Sequence, residues 1–212
     1  GVETFMSQNV PTHTVGVGTG TPLVNGATQN VTYAASKDTN TQTIITDGWT
    51  NSTTAIVKAG DVLKFAGCFA VNPVTKATLS HLKEFVVTAD ANSGATTGPA
   101  TITISPAMII SGAHQNASAV PANNAAITLK GAGAGLYPMN MMFTKNAFAL
   151  VSVPLVSPPG AVDVSRQSYK GTNVRVIPVY DGTNDKSTWR LDVLYGVKCI
   201  DERQAVRVSG TA

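Results

Sequence analysis

The sequence predicts a strand-dominated α+β fold, in which a block of short strands accompanies a block of longer ones. Three observations predict this class. Short runs rich in β-branched and aromatic residues alternate with clusters of Gly, Pro, Asn and Ser up to residue 131. Longer runs follow at 173–181 and 187–200, the second with a clear period of two. A single stretch, 144–150, has the pattern of a helix.

Six short strands are predicted in the first block. Turn-forming clusters such as SKDTN (36–40) and NPVTK (72–76) separate them. Because closure removes the unpaired edges of a sheet, short strands at this spacing favour a small closed barrel or a sandwich. The predicted strands are 31–35, 41–46, 61–67, 84–90, 101–105 and 125–131.

The one predicted helix covers a turn or two from Thr144 to Leu150. Thr144 is a residue type that caps helices, because its hydroxyl accepts a hydrogen bond from a free backbone N–H. Pro154 and the pair Pro158–Pro159 prevent the helix from continuing.

Two long strands are predicted after the prolines, at 173–181 and 187–200, joined by the turn sequence GTND (182–185). Apolar residues alternate with other residues along the second strand, a pattern that predicts one buried face. A final strand is predicted at 204–210. The apolar residues of the alternating row are Trp189, Leu191, Val193 and Tyr195.

Glycine-rich segments at 15–22 and 131–138 flank the Thr/Asn/Ala-rich first block. Paired joints on both sides of a block are typical of a domain inserted into a host domain. We therefore predict an inserted β-domain at 21–129 and a host domain split between 1–20 and 130–212, with flexible joints between them.

Charged residues make up 13% of the chain and the net charge is +3, whereas soluble domains average about 25% charged residues. This composition fits a subunit whose surface is covered by other subunits, and it also fits a secreted β-protein. The basic residues are spread singly, so specific nucleic-acid binding is not expected. No apolar run approaches the roughly 20 residues of a membrane-spanning helix, so no membrane partner is predicted.

The sequence predicts no catalytic, cofactor-binding or metal-binding residue, and therefore no enzyme. GVGTG (16–20) lacks the strand before it and the helix after it that a phosphate-binding loop requires, so a hinge is favoured. His13, His81 and His114 have no ligand at metal-binding spacing, and His13 is expected to be a hydrogen-bonded structural group. Asp201–Glu202 is interpreted as a solvated turn between strands.

The two cysteines, Cys68 and Cys199, give no disulfide framework and are expected to be free thiols, with one long-range bridge left open. The glycosylation sequons at Asn30, Asn51 and Asn116 are interpreted as chance matches in a Thr/Ser/Asn-rich chain.

Several phrases together resemble the C-terminal half of tailed-bacteriophage major capsid proteins. The nearest type is the coat protein of the short-tailed Salmonella phages, the lederbergviruses, which carries an inserted barrel. The phrases are QNVPTHTVG (8–16), MMFTKNAFALVSVPL (141–155), SRQSYKGTNVRVIPVYD (165–181) and WRLDVLYGVKCIDERQAVRV (189–208), with VKAGDVLKFAG (57–67), EFVVTAD (84–90) and TITISPAMI (101–109) resembling the insert.

The resemblance implies the axial and peripheral portion of the Johnson fold, the capsid fold of tailed phages, with a small β-barrel inserted into it. In that family the N-terminal arm, the extended loop and the long spine helix would precede residue 1. The chain is therefore expected to be a C-terminal fragment of a longer protein, in which SQNVPTHTVG (7–16) is the strand that enters the axial region. The family's insert helps the subunit fold and holds neighbouring subunits together.

The function implied is that of a major capsid protein, which self-assembles as hexamers and pentamers into the icosahedral shell around the phage genome. Its implied partners are further copies of itself, scaffolding and portal proteins, and packaged DNA that is bound non-specifically at the inner surface. Its implied location is the virion, after assembly in the cytoplasm of the host bacterium. Two alternatives stay open: a secreted or surface β-sandwich binding module or adhesin, and a phage tail or decoration protein.

Overall fold

The computed structural model describes residues 2–161 and 163–209. Within these residues it contains fourteen strands, one single-turn α-helix and one short 3-10 helix, so the predicted strand-dominated class is confirmed. The chain divides into two units. The first runs to Met139 and takes in Ser209, and the second spans Asn140–Val208. Among the described residues, no helix combines the length and the apolar character that crossing a membrane requires.

Six antiparallel strands of the first unit form one sheet, which we call the barrel. Their order in the sheet is β2-β3-β6-β5-β4-β7. The first and last strands approach each other through a bridge between Leu23 and Ala126, and the Val24 N–H donates to the Ala125 carbonyl at 3.0 Å. The sheet is therefore nearly closed. The strands are β2 (Gly20–Val24), β3 (Gln42–Trp49), β4 (Val62–Val71), β5 (Thr78–Val87), β6 (Ala100–Ser105) and β7 (Ile127–Leu129).

The barrel core is built from the alternate residues of these strands. Ile44 lies opposite Ile102 in the β3–β6 ladder, and both are fully buried. Phe65 and Phe85 pack edge to face with ring centroids 5.5 Å apart, a favoured arrangement for aromatic pairs. Burial of these side chains is the main stabilising term of the barrel.

Two predictions about the barrel strands were wrong. Residues 31–35 do not form a strand, because α1 (Tyr33–Ser36) begins there instead. The Ala35 N–H and the Ser36 hydroxyl both donate to the Thr32 carbonyl, and such local hydrogen bonds compete with strand pairing. β2 was not predicted, because its first residues lie in the glycine-rich segment 15–22 that was interpreted as a joint.

A second sheet contains β1 (Thr12–Thr14), β8 (Leu136–Phe143) and β14 (Ala205–Ser209), in the order β1-β8-β14. β1 pairs with the start of β8, so that His13 lies opposite Tyr137. β14 confirms the predicted final strand up to Ser209, and Gly210 lies outside the described residues.

The second unit contains two more small antiparallel sheets. The hairpin predicted around residues 182–185 is confirmed, because β11 and β12 pair on either side of it. The three-stranded sheet is β10 (Ser165–Tyr169), β11 (Thr172–Asp181) and β12 (Lys186–Asp192), and the two-stranded sheet is β9 (Phe148–Ser152) with β13 (Tyr195–Cys199).

The predicted helix at 144–150 was wrong. Residues 144–147 form a turn and β9 begins at Phe148. The Thr144 hydroxyl does not cap a helix, since it donates to the side-chain oxygen of Gln204. Pairing of β9 with β13 decides the local conformation here, as tertiary contacts often override helix propensity.

The long strand predicted at 187–200 was wrong in its middle. It divides at 193–194 into β12 and β13, which belong to different sheets. The Leu194 carbonyl instead accepts a hydrogen bond from the Val153 N–H at 3.1 Å. The period of two continues through this break, so the pattern alone did not reveal it.

Candidate functional site

The structure places the three histidines in three different surroundings. His81 is exposed on β5. The His114 ring stacks on the Tyr33 ring, with centroids 3.7 Å apart and an angle of 9° between the planes. The Nε2 of His13 lies 2.7 Å from an oxygen of Asp61, so the prediction of a hydrogen-bonded structural group is confirmed. Within 2–161 and 163–209, no three His, Cys, Asp or Glu residues are grouped so that they could hold a metal ion.

The two cysteines are free thiols, as predicted. Cys68 lies in the barrel core, and its burial raises its pKa to about 11. The positive charge of Lys83 opposes this shift to a smaller extent. Cys199 is half-buried at the end of β13. Since the thiolate is the reactive form of cysteine, Cys68 is unsuited to be a nucleophile.

Asp201 lies in the turn between β13 and β14, as predicted. The Arg203 guanidinium donates two hydrogen bonds of 3.0 Å to the Asp201 carboxylate. These bonds, with those from the Arg203 N–H and from Gln204, hold the pKa of Asp201 well below its usual range. The carboxylate therefore stays ionised and organises the turn.

Asp61 forms a buried polar junction that the sequence did not reveal. Its side chain is fully buried, and the residue directly precedes β4. One oxygen accepts from His13 at 2.7 Å, and the other accepts from the backbone N–H groups of Gly16 at 3.0 Å and Lys58 at 2.8 Å. We call this group the Asp61 junction. Neither the spacing of 45 residues between Gly16 and Asp61 nor any motif links its members in the sequence.

The sheet of β10, β11 and β12 carries apolar side chains on one exposed face. Residues directly opposite each other in an antiparallel pair project to the same side, so the register determines which residues share this face. Trp189 is 63% exposed and Leu191 is 68% exposed. The prediction that their row is buried was therefore wrong. The apolar face consists of Val176, Pro178, Tyr180, Trp189 and Leu191.

The opposite face of this sheet is held by ion pairs. Asp192 accepts hydrogen bonds from the Arg175 Nε at 3.2 Å and from the Arg190 Nε at 2.7 Å. Hydrogen bonds from Arg175 and then from Arg190 lower the pKa of Asp192. Ile177 is buried on the same side. The two faces of the sheet therefore differ sharply in polarity.

The sheet of β9 and β13 also exposes apolar residues. Leu150 lies opposite Val197, and each is 70% exposed. Among the described residues, all the buried apolar side chains except Ala147 and Ile177 belong to the first unit. The second unit thus has almost no core of its own. Large exposed apolar patches mark sites where another molecule or another chain segment binds, so these faces are the candidate functional surface.

Comparison with known proteins gave three findings. The family model described as "P22 coat protein - gene protein 5" matches residues 1–209. A "Major capsid protein" of Acyrthosiphon pisum secondary endosymbiont phage 1 is 29% identical over 209 residues, which are 95% of this chain and 49% of that protein. The chain thus spans about half the length of this curated relative. A solved "CUS-3 coat protein I-domain" is 29% identical, with a TM-score of 0.36 over 52% of this chain and 96% of that one.

Proposed function

Because the chain belongs to the P22 coat protein family, we propose that it is a shell-forming part of a bacteriophage major capsid protein. Copies of the protein assemble as hexamers and pentamers into an icosahedral shell that encloses the phage genome. The work of the chain is structural, with no catalysis and no cofactor.

The observation that carries this proposal is the exposed apolar surface of the second unit. A subunit of a closed shell repeats the same contacts many times, so that weak interfaces add up to a stable lattice. The cores of such interfaces are apolar and poor in charge. The apolar face fits this requirement, because Trp189 and Tyr180 are residue types enriched at interfaces.

In this proposal, the barrel is the inserted domain. We propose the boundaries 21–129 for the insert, with 1–20 and 130–212 forming the host domain. Two features support this division. All six barrel strands lie between Gly20 and Leu129, and β1 pairs with the start of β8 just outside them. A domain whose ends lie together is well suited to insertion.

The proposed partners are further copies of the protein, scaffolding and portal proteins, and packaged DNA at the inner surface of the shell. Contact with DNA is expected to be non-specific and to weaken with salt. The protein is expected in the virion, after assembly in the bacterial cytoplasm. The adhesin and the tail or decoration protein are set aside, because the matching family is one of coat proteins.

The proposal is tested by expressing the chain together with any coding sequence that precedes Gly1. The natural sequence is expected to pellet as large particles on ultracentrifugation and to appear as closed shells by electron microscopy. Replacing Trp189 on the apolar face by Asp is expected to abolish particles, because the charge cannot be buried unpaired in an interface. Thr188→Asp is the matched control, since Thr188 is exposed on the opposite face of the same strand.

Circular dichroism of the unassembled protein separates loss of assembly from loss of folding. The proposed function requires that Trp189→Asp yields folded subunits without shells while Thr188→Asp still yields shells. Small particles or monomers from the natural sequence under all conditions would contradict it.

A further inference from the structure

The segment 13–18 lies between two neighbours in the first unit. On one side it contacts the chain that leaves the barrel, because the Val15 N–H donates to the Gly135 carbonyl at 3.0 Å. On the other side it contacts the loop between β3 and β4 of the barrel, because the Val17 N–H donates to the Ala55 carbonyl at 3.0 Å. The segment that enters the barrel is thus bonded to both the barrel and the exit segment.

Two glycines in these segments allow this close approach. A Cβ atom at Gly16 would lie 2.5 Å from the Ile56 carbonyl oxygen. A Cβ atom at Gly133 would lie 2.1 Å from the Val17 carbonyl oxygen. Both distances are far inside van der Waals contact, so any other residue would push the segments apart. Neither glycine has a positive φ, so close packing, and not an unusual backbone conformation, requires glycine here.

The Asp61 junction adds a side-chain contact to this packing. The barrel holds the main chain of Asp61, because its carbonyl accepts from the Val87 N–H at 2.8 Å. A buried carboxylate needs hydrogen-bond donors to offset its lost hydration. The barrel supplies one donor, the Lys58 N–H, and the entry segment supplies two, the Gly16 N–H and the His13 ring. The buried state of Asp61 therefore depends on the entry segment being in place.

We propose that Asp61 is a positioning residue that locks the entry segment 13–18 onto the barrel and so sets the position from which β1 pairs with β8. Removing the carboxylate leaves the buried Gly16 N–H and the part-buried Lys58 N–H without their acceptor, and the entry segment opens more readily than the barrel does.

Amide hydrogen exchange in the 212-residue chain tests the contact between Asp61 and the entry segment residue by residue. Asp61→Ala is expected to speed exchange at Gly16, Val17 and Ala134 by about tenfold or more. The core amides of β3 and β6 are expected to keep their protection. Equal loss of protection in the segment and in the core would overturn the proposal, because it would mean that the variant only destabilises the whole unit. Unchanged exchange in the segment would overturn it as well.

Asp61→Asn is the conservative variant. Its amide oxygen can accept from Gly16 and Lys58, and its NH₂ group can donate to His13 when the ring proton is on Nδ1. Its exchange rates in the segment are therefore expected to stay near those of the natural chain. Asp90→Ala is the matched control, because the exposed Asp90 carboxylate accepts from the neighbouring Ala59 N–H without touching the entry segment.

His13→Ala keeps the experiment decisive if Asp61→Ala does not fold. His13 lies at the edge of the junction with a side chain 17% exposed, so its removal is expected to leave the barrel folded. Exchange at Gly16 and Val15 should rise selectively, and no change at these amides would overturn the proposal. None of these outcomes depends on shell assembly.

Discussion

In the barrel, alternate residues of β3 and β6 lie opposite each other, and Ile44 and Ile102 are fully buried. In the second unit, alternate residues of β11 and β12 form the same kind of row, yet Trp189 and Leu191 are largely exposed. The difference shows that alternation along a strand predicts which residues share one face of the sheet. Burial of that face requires a second layer of protein packed against it. The barrel supplies this layer by closing on itself.

The largest expected difference between the two units is in the reactivity of their cysteines. Cys68 in the barrel core is expected to react with iodoacetamide only when the barrel unfolds, about a thousandfold or more slowly than a free thiol. Cys199 is half-buried in the second unit and is expected to react under native conditions. Mass spectrometry of labelled peptides measures both rates. Comparable rates for the two thiols would show that the barrel does not close around Cys68.

The raised pKa of Cys68 adds a pH dependence to the same comparison. The pKa is about 11 in the folded barrel and about 8.5 in an unfolded chain. The stabilisation that depends on the neutral thiol is complete below the pKa of Cys68 in the unfolded chain. It is lost as the pH rises through the pKa of Cys68 in the folded barrel. The stability of the barrel should therefore fall from about pH 8.5 to 11, and Cys68→Ala should reduce this fall.

The next largest effect is expected from a cavity in the barrel core. Phe85→Ala is expected to lower the free energy of unfolding by about 3–5 kcal/mol, because it removes a fully buried ring and leaves a void. Urea unfolding followed by the fluorescence of the buried Trp49 measures this loss, in a Trp189→Phe background. Val86→Ala is the control, because this neighbouring side chain is half-exposed and should cost only about 0.5 kcal/mol. Equal losses from both variants would mean that the ring is not part of a tight core.

The smallest effect is expected on the apolar face. Leu191→Ser is expected to change the free energy of unfolding of the chain by no more than about 0.5 kcal/mol, because the side chain is already exposed. The same replacement at the fully buried Leu63 should cost more than about 3 kcal/mol. The same urea experiment compares the two. A large loss from Leu191→Ser would show that another part of the chain covers this face.

Much of the barrel could be predicted from the sequence. Strands β3, β4 and β6 lie where the β-branched runs placed them, and the β11–β12 hairpin lies around its turn residues. These elements were predictable because local patterning and final structure agree. β5 begins at Thr78, earlier than expected, because its first half pairs only with β4 and carries a weak pattern.

The wrong predictions concern segments whose conformation is set by residues that are distant in the sequence. The segment after Thr144 has a helical pattern but pairs with β13, about fifty residues later in the chain. The role of Gly16 and Gly133 was missed for the same reason, since the atoms that exclude a Cβ belong to remote residues. For the candidate site, the sequence identified the row of Trp189 and Leu191 but not its exposure, and it identified His13 as a structural group but not its partner Asp61.

The Ala134 N–H donates a hydrogen bond of 3.0 Å to the Gly16 carbonyl, so the chain enters and leaves the barrel at adjacent points. A domain whose two ends lie side by side can be replaced by a tight turn or exchanged for another folded module with adjacent termini. Since the entry segment is also bonded to Asp61 and Ala55, a replacement module must supply acceptors for the Gly16 and Val17 N–H groups as well.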